Sequence, residues 1–323
     1  MHYRLLTFTA SAALTAAAAL GLAKPQPRPH PKPGYAGTLI KDVPHLRQKP
    51  DFCGEACAAM YLRRLGQNVD QDYVYDQSGL DPLEGRGCHT KELAAALRKI
   101  GFRVGPVWRK IRVDKSKEQL EAQWKALHED LRGGVPSIIC TRYDGRPGAS
   151  EHFRLILGYD AGAEEVVYHE PAEAGGAYRR MKRSEFLDLW PLKYDDRQWT
   201  LIRLRLEAGK LKRGKTADTF TPADYAQHML ELKKKIPGEK FTVVIQPPMV
   251  VIGDESAAMV RRRAVGTVKW AIDRLKEAYF KKDPTEILDV WLFKDKASYR
   301  KHTGQLFNHK PTTPFGYFSS AEG

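Results

Sequence analysis

Apolar residues in the first two hundred positions follow two rhythms, and the change between them falls near Gly134. Cys57, Met60, Tyr61 and Leu65 form the one-sided stripe of an amphipathic helix. With Asp51 placed to cap it and Gly66 placed to stop it, a helix is expected over 52–65. Two more are expected over 90–100, ending at Gly101, and over 117–131, ending at Gly133-Gly134. Beyond them the apolar runs become short and β-type, at 135–141, 153–159, 166–169 and 199–206. Helices first and strands afterwards predict an α+β fold, a helix packed on an antiparallel sheet.

The same pattern divides the chain. Met1-His-Tyr-Arg4 and the alanine- and leucine-rich run that follows predict a signal peptide over 1–23, and hence export to the periplasm or beyond. The apolar run is nearly long enough to span a bilayer, so an N-terminal anchor is the alternative. Proline at alternate positions makes 24–36 an extended spacer. The first domain then occupies 37–206, and 207–217 reads as a basic, glycine-containing linker. A smaller, incomplete α+β module is expected over 218–323: strands in 241–252 interrupted by Pro247-Pro248, a helix over 256–280, a strand over 287–293 and a helix over 296–307. Its fold is expected to continue past Gly323.

The 323 residues carry a formal charge of +14. The basic runs at 210–215, 233–235 and 261–263 sit among acidic residues and read as solvated faces, with contact to an anionic cell envelope as the sharper alternative. No nucleic-acid motif accompanies them, so no nucleic-acid partner is expected.

The candidate chemistry begins at Gln48-Lys-Pro-Asp-Phe-Cys53. A cysteine where a loop turns into a helix is expected to be acidic, because the helix N-terminus favours thiolate. Gln48 can reach round to donate a hydrogen bond beside that sulfur, as an oxyanion-hole side chain does. A thiolate needs a base, and His152 begins a strand. A three-residue hairpin loop at Asp160-Ala161-Gly162, with glycine taking positive φ, would place His152 directly opposite Glu170 on the next strand. Glu170 would then orient the imidazole. His45, His89, His128 and His169 read as structural, and Cys57 as a core residue; a pairing of Cys88 with Cys140 is left open.

Gln48-x4-Cys53-Gly54-x-Ala56-Cys57, Glu151-His152-Phe153 leading to Gly158-Tyr159-Asp160, and a strand ending in acid-proline together resemble the C39 family of papain-like cysteine peptidases, which includes bacteriocin leader peptidases fused to export transporters. The resemblance covers about 40–205. It implies Cys53 as nucleophile, His152 as base, Glu170 as orienting acid and Gln48 in the oxyanion hole, with a peptide or protein as substrate. The family usually has aspartate before the proline, where this chain has Glu170. The second module resembles, more weakly, the front of a bacterial metallopeptidase-like domain through Trp291–Tyr299 and Phe315–Phe318, but without a zinc-binding H-E-x-x-H helix. No metal and no cofactor are expected. The sequence thus points to an exported thiol-dependent peptide hydrolase, with an inactive peptide-binding module or a cell-wall amidase or transpeptidase as alternatives.

Overall fold

The computed structural model describes residues 34–214, 219–238, 240–308, 313 and 316; the expected signal peptide and nearly all of the proline-rich spacer lie outside the described residues. The α+β expectation holds. An antiparallel sheet runs in the order β3 (Trp108–Arg112), β8 (Gln198–Arg205), β4 (Ser137–Arg142), β5 (Glu151–Asp160), β6 (Glu165–His169) and β7 (Arg179–Lys182), and β1 (Thr38–Leu39) joins the far half of β5. A Cβ at Gly158 would lie 2.4 Å from the Thr38 carbonyl oxygen, so glycine admits β1 at that point.

Helix α1 (Cys53–Arg64) packs on β4 and β5. The single stripe expected of it is too narrow a description: every residue from Gly54 to Leu62 is buried. Small residues at Ala56, Ala58 and Ala59 let neighbours approach on all sides, which makes this a central core helix. Asp51 does not cap it. The N-cap is Phe52, without a side-chain cap, and the Asp51 carboxylate instead accepts the Gly87 N–H at 2.9 Å. Helix α2 (Gln71–Asp76), which the apolar pattern did not reveal, is capped by Asp70. The other two expected helices are α3 (Thr90–Ile100), which ends at left-handed Gly101, and α4 (Ser116–Arg132).

The β5–β6 hairpin corrects the expected register. Its turn is four residues long, 161–164, and the left-handed position is Glu164 at φ 52°, not Gly162. A bulge between Ile156 and Gly158 then shifts the pairing to Ile156–Tyr168 and Leu155–His169. Continued one step, that register sets Arg154 opposite Glu170, and His152 two residues along on the same face.

The expected linker contains a short strand. β9 (Glu207–Ala208) pairs with β2 (Phe102–Arg103). Helix α5 (Arg183–Leu189) follows β7, and α6 (Pro222–Lys235) opens the second module with a Thr221–Asp224 capping box. Neither helix was anticipated. In the module, β10 (Thr242–Gln246) and β11 (Met249–Gly253) are antiparallel, and β12 (Leu288–Leu292) lies parallel to β11. The helix expected over 256–280 is α7 (Ala257–Arg263), a π-helical stretch at Ala264–Lys269, and α8 (Trp270–Ala278); α9 (Lys296–Phe307) follows β12.

Helix α6 serves two cores. Ala223 and Ala226 belong to the large one, whereas Tyr225, Met229 and Leu232 pack with Val250 and Ile252 of the small sheet. Gln227 Nε2 also donates to the Pro50 carbonyl at 2.9 Å, in the loop that leads to Cys53. Residues 35–323 accordingly cluster as one unit. Among the described residues no helix is long and apolar enough to cross a membrane.

Candidate active site

Cys53 is the first residue of α1 and the only one of the four cysteines that is not fully buried; all four are free thiols. It meets β5 at Phe153, the residue after His152, whose backbone amide hydrogen-bonds the sulfur. Cys57, one turn on, lies in the core with its thiol towards the Phe153 carbonyl at 3.7 Å.

The acidity expected of Cys53 is overturned. Burial pushes its thiol up to about 12; the carboxylates of Glu55 and Asp51 add to the rise, and the amides of Phe153 and Gly54 oppose it. A helix N-terminus is worth at most ~2 kcal/mol, or about one and a half powers of ten in acidity, too little to restore a thiolate at neutral pH. At neutral pH the Cys53 thiol therefore holds its proton, and any chemistry at this sulfur has to remove it first. Burial raises Cys57, Cys88 and Cys140 as well, Cys57 far above the ordinary thiol value.

His152 and Glu170 do meet, at 2.5 Å between Nε2 and Oε1, although by a different route from the one expected. Glu170 stands diagonal to His152, and its long side chain spans the offset. Desolvation would raise this carboxyl, but the His152 hydrogen bond and charge, Arg154 and the Ala172 amide together hold it below the usual carboxylate range. It is therefore an ionised acceptor. With a carboxylate as the acceptor, His152 Nε2 is the donor of this bond, and Nδ1 is the ring nitrogen left outside it.

The loop carrying Glu170 is closed on itself. Glu170 N–H donates to the Gly176 carbonyl at 2.8 Å, and His45 Nε2 donates to the Glu170 carbonyl at 2.9 Å. A Cβ at Gly176 would fall 1.9 Å from that carbonyl oxygen, so only glycine fits. Gln48 is tied to the same loop, its N–H donating to the Pro171 carbonyl at 2.8 Å. Its side-chain Oε1 is buried with no hydrogen-bond partner among the described residues. Buried Gln71 braces the strand of chain leading to Cys53, accepting the Lys49 N–H at 2.7 Å and donating to the Arg47 carbonyl at 3.3 Å. The structure thus links Gln48, His152 and Glu170 through one loop, and brings Cys53 against the same strand.

Arg154 and Glu55 are the residues that sequence reasoning missed. Arg154 donates to Glu170 Oε2 at 2.7 Å from between Phe153 and the apolar run Leu155–Leu157 of β5, and an arginine interrupting that run was the available signal. Glu55, two residues after Cys53, is fully buried and accepts the Cys88 N–H at 2.6 Å. His169, facing away from the site, bonds the Val43 carbonyl and the Tyr178 amide, and His128 bonds the Ala36 carbonyl.

A cleft of about 590 Å³ opens beside Cys53. Cys140, Phe153 and Ile202 line it with apolar surface, and Trp108, Lys110 and Tyr194 supply aromatic and cationic groups. Among the described residues no group of three or more metal-ligating side chains converges.

Two solved structures are similar in part. The peptidase domain of Streptococcus ComA, a bi-functional ABC transporter involved in a quorum-sensing pathway, is 16% identical, with 51% of this chain and 99% of that chain covered and a TM-score of 0.33. EndoMS in its apo form is 14% identical, with 61% of this chain and 94% of that chain covered and a TM-score of 0.14. Among curated proteins no sequence matches the chain. Residues 40–195 match the family model described as Peptidase_C39 like family, a span that contains Gln48, Cys53, His152 and Glu170, and in this segment the chain is similar to that peptidase family.

Proposed function

We propose that this chain is an exported cysteine peptidase. Cys53 attacks the carbonyl carbon of a peptide bond held in the adjoining cleft, and His152 Nδ1 takes the thiol proton as the bond forms. The imidazolium, steadied by Glu170, returns that proton to the leaving amine. Gln48 and the Cys53 backbone N–H hold the oxyanion, and water then releases the acyl group. The observation that carries this reading is the 2.5 Å bond from His152 Nε2 to an ionised Glu170, on a strand whose next residue bonds the Cys53 sulfur. Export rests on the character of residues 1–23.

A second reading, a peptide-binding module without turnover, is favoured by the high-lying Cys53 thiol. A panel of unrelated peptides and peptidoglycan fragments separates the two. Peptide cleavage that is lost in Cys53→Ala supports the peptidase; saturable peptide binding to wild type without cleavage supports the module. Cleavage confined to peptidoglycan would replace both with a cell-wall amidase.

A further inference from the structure

We propose that Arg154 is a positioning residue for the catalytic histidine: it fixes the Glu170 carboxylate on the diagonal from which it reaches His152, and so makes glutamate the acid this site requires. The inference rests on the peptidase reading for its kinetic consequences, and on geometry alone for the arrangement itself.

Arg154 is only 4% exposed, and its guanidinium is held on every side. Nε donates to Glu170 Oε2 at 2.7 Å, Nη1 to Thr141 Oγ1 at 2.5 Å and to the Arg142 carbonyl at 3.2 Å, and Nη2 to the Tyr143 carbonyl at 2.8 Å. The rings of Tyr143 and Tyr168 lie 5.4 and 5.7 Å from its central carbon. A planar donor fixed in this way dictates where its carboxylate partner sits. Glu170 is correspondingly saturated, with Oε1 taking His152 Nε2 at 2.5 Å and the Ala172 N–H at 3.1 Å.

The register explains why the acid is long. Directly opposed residues of an antiparallel pair have Cβ atoms about 4.5–5.5 Å apart, whereas diagonal neighbours stand roughly 7–8 Å apart. Continued one step beyond its last pair, Leu155–His169, the register sets Arg154 opposite Glu170 and His152 on the diagonal. An aspartate at 170 would be drawn to the opposed, fully fixed guanidinium and would fall short of His152 by about one C–C bond, ~1.5 Å. Glutamate has the reach to serve both with its two oxygens. Arg154 and the glutamate are thus parts of one device.

The test compares wild type with Arg154→Leu, Arg154→Lys, Glu170→Asp and the Arg154→Leu/Glu170→Asp double variant, in two readouts. Side-chain ¹⁵N NMR reports the His152 tautomer without need of activity, and steady-state peptide hydrolysis gives kcat and KM. Wild type should show the Nε2–H tautomer alone. Arg154→Leu should mix the two tautomers and lower kcat about 10-fold or more with KM unchanged within twofold, because the histidine and not the cleft is disturbed. Arg154→Lys, which keeps charge but not the fork, should fall between. Glu170→Asp should show the same tautomer mixing, and the double variant should be no worse than its worse parent, since both changes break one device. A pure Nε2–H tautomer in the arginine variants, or a double variant whose loss is the product of the single losses, overturns the proposal. Should Arg154→Leu fail to fold, Arg154→Lys and Glu170→Asp decide it by the same criteria. If wild type cleaves nothing, the peptidase reading falls while the tautomer still decides the role of Arg154; if wild type cleaves and the tautomer ignores Arg154, only this inference falls.

Discussion

Glu55 offers a sharp test of how burial governs this site. Its side chain is completely buried on α1, Oε1 accepts the Cys88 N–H at 2.6 Å, and Oε2 has no partner among the described residues. Desolvation raises its carboxyl from 4.5 to about 7, against the pull of the Cys88 amide. A raised acid binds its proton more tightly in the folded chain than in the unfolded one. Its contribution to stability is therefore fully present below about pH 4.5 and is lost as pH rises through about 7. At 1.36 kcal/mol per pH unit, wild type should lose about 2–3 kcal/mol through this group between pH 5 and pH 8. Glu55→Gln keeps a carbonyl for the Cys88 amide but cannot ionise, so it should lack that slope. Urea denaturation of both proteins, reduced, at several pH values from 5 to 8 measures the difference. Asp76, whose burial raises it to about 6, contributes equally to both proteins and cancels. The variant should gain about 2–3 kcal/mol on wild type over that interval, whatever constant offset the substitution introduces. Parallel stability profiles would refute the reasoning and mean that water or a rearranged partner solvates Glu55.

Three other outcomes are expected. Iodoacetamide should label Cys53 before Cys57, Cys88 or Cys140 by mass spectrometry, with a rate still climbing above pH 8 and climbing earlier in Glu55→Gln, because the Glu55 charge helps to raise this thiol; first labelling of Cys57 or Cys140 would overturn the assignment. Gln48→Ala should lower kcat by roughly 10²–10³ and leave Cys53 alkylation nearly unchanged, whereas a parallel loss of both would make Gln48 a loop brace rather than an oxyanion donor. Glu170→Gln should impair turnover, since an amide cannot stabilise an imidazolium, and should also melt lower, because Arg154 keeps its charge without a counter-charge; unchanged turnover would remove the acid from the mechanism.

The fold class was legible because it rests on local order. Helical spacing marks 52–65, glycines stop three helices, and short β runs announce β4, β5, β6 and β8. The pairing of His152 with Glu170 was reached from a register that the chain does not use. Sequence gave Gly162 as the natural left-handed residue, yet Asp160 Oδ1 accepts the amides of Gly162 and Ala163 and the turn closes only at Glu164. The bulge after Ile156 has no sequence mark of its own beyond Gly158, and it is what pairs Leu155 with His169, a register that sets Arg154 opposite Glu170 when continued one step. The acidity of Cys53 was misjudged for a related reason: helix position is visible in sequence, but burial among β4, β5 and the carboxylates of Asp51 and Glu55 is a tertiary property. Helix α6 carries no single apolar stripe in sequence, because its apolar residues are divided between two separate cores and its end is basic, Lys233, Lys234 and Lys235.

The central claim is that Cys53 forms a covalent acyl intermediate with a peptide substrate. Mixing the protein with a peptide ester, quenching in acid within the first seconds and weighing the intact protein tests it directly. The expected result is a mass increase equal to the acyl group, located by fragmentation on the peptide that contains Cys53 and absent from Cys53→Ala. Turnover without any adduct, or an adduct that persists in Cys53→Ala, would contradict it.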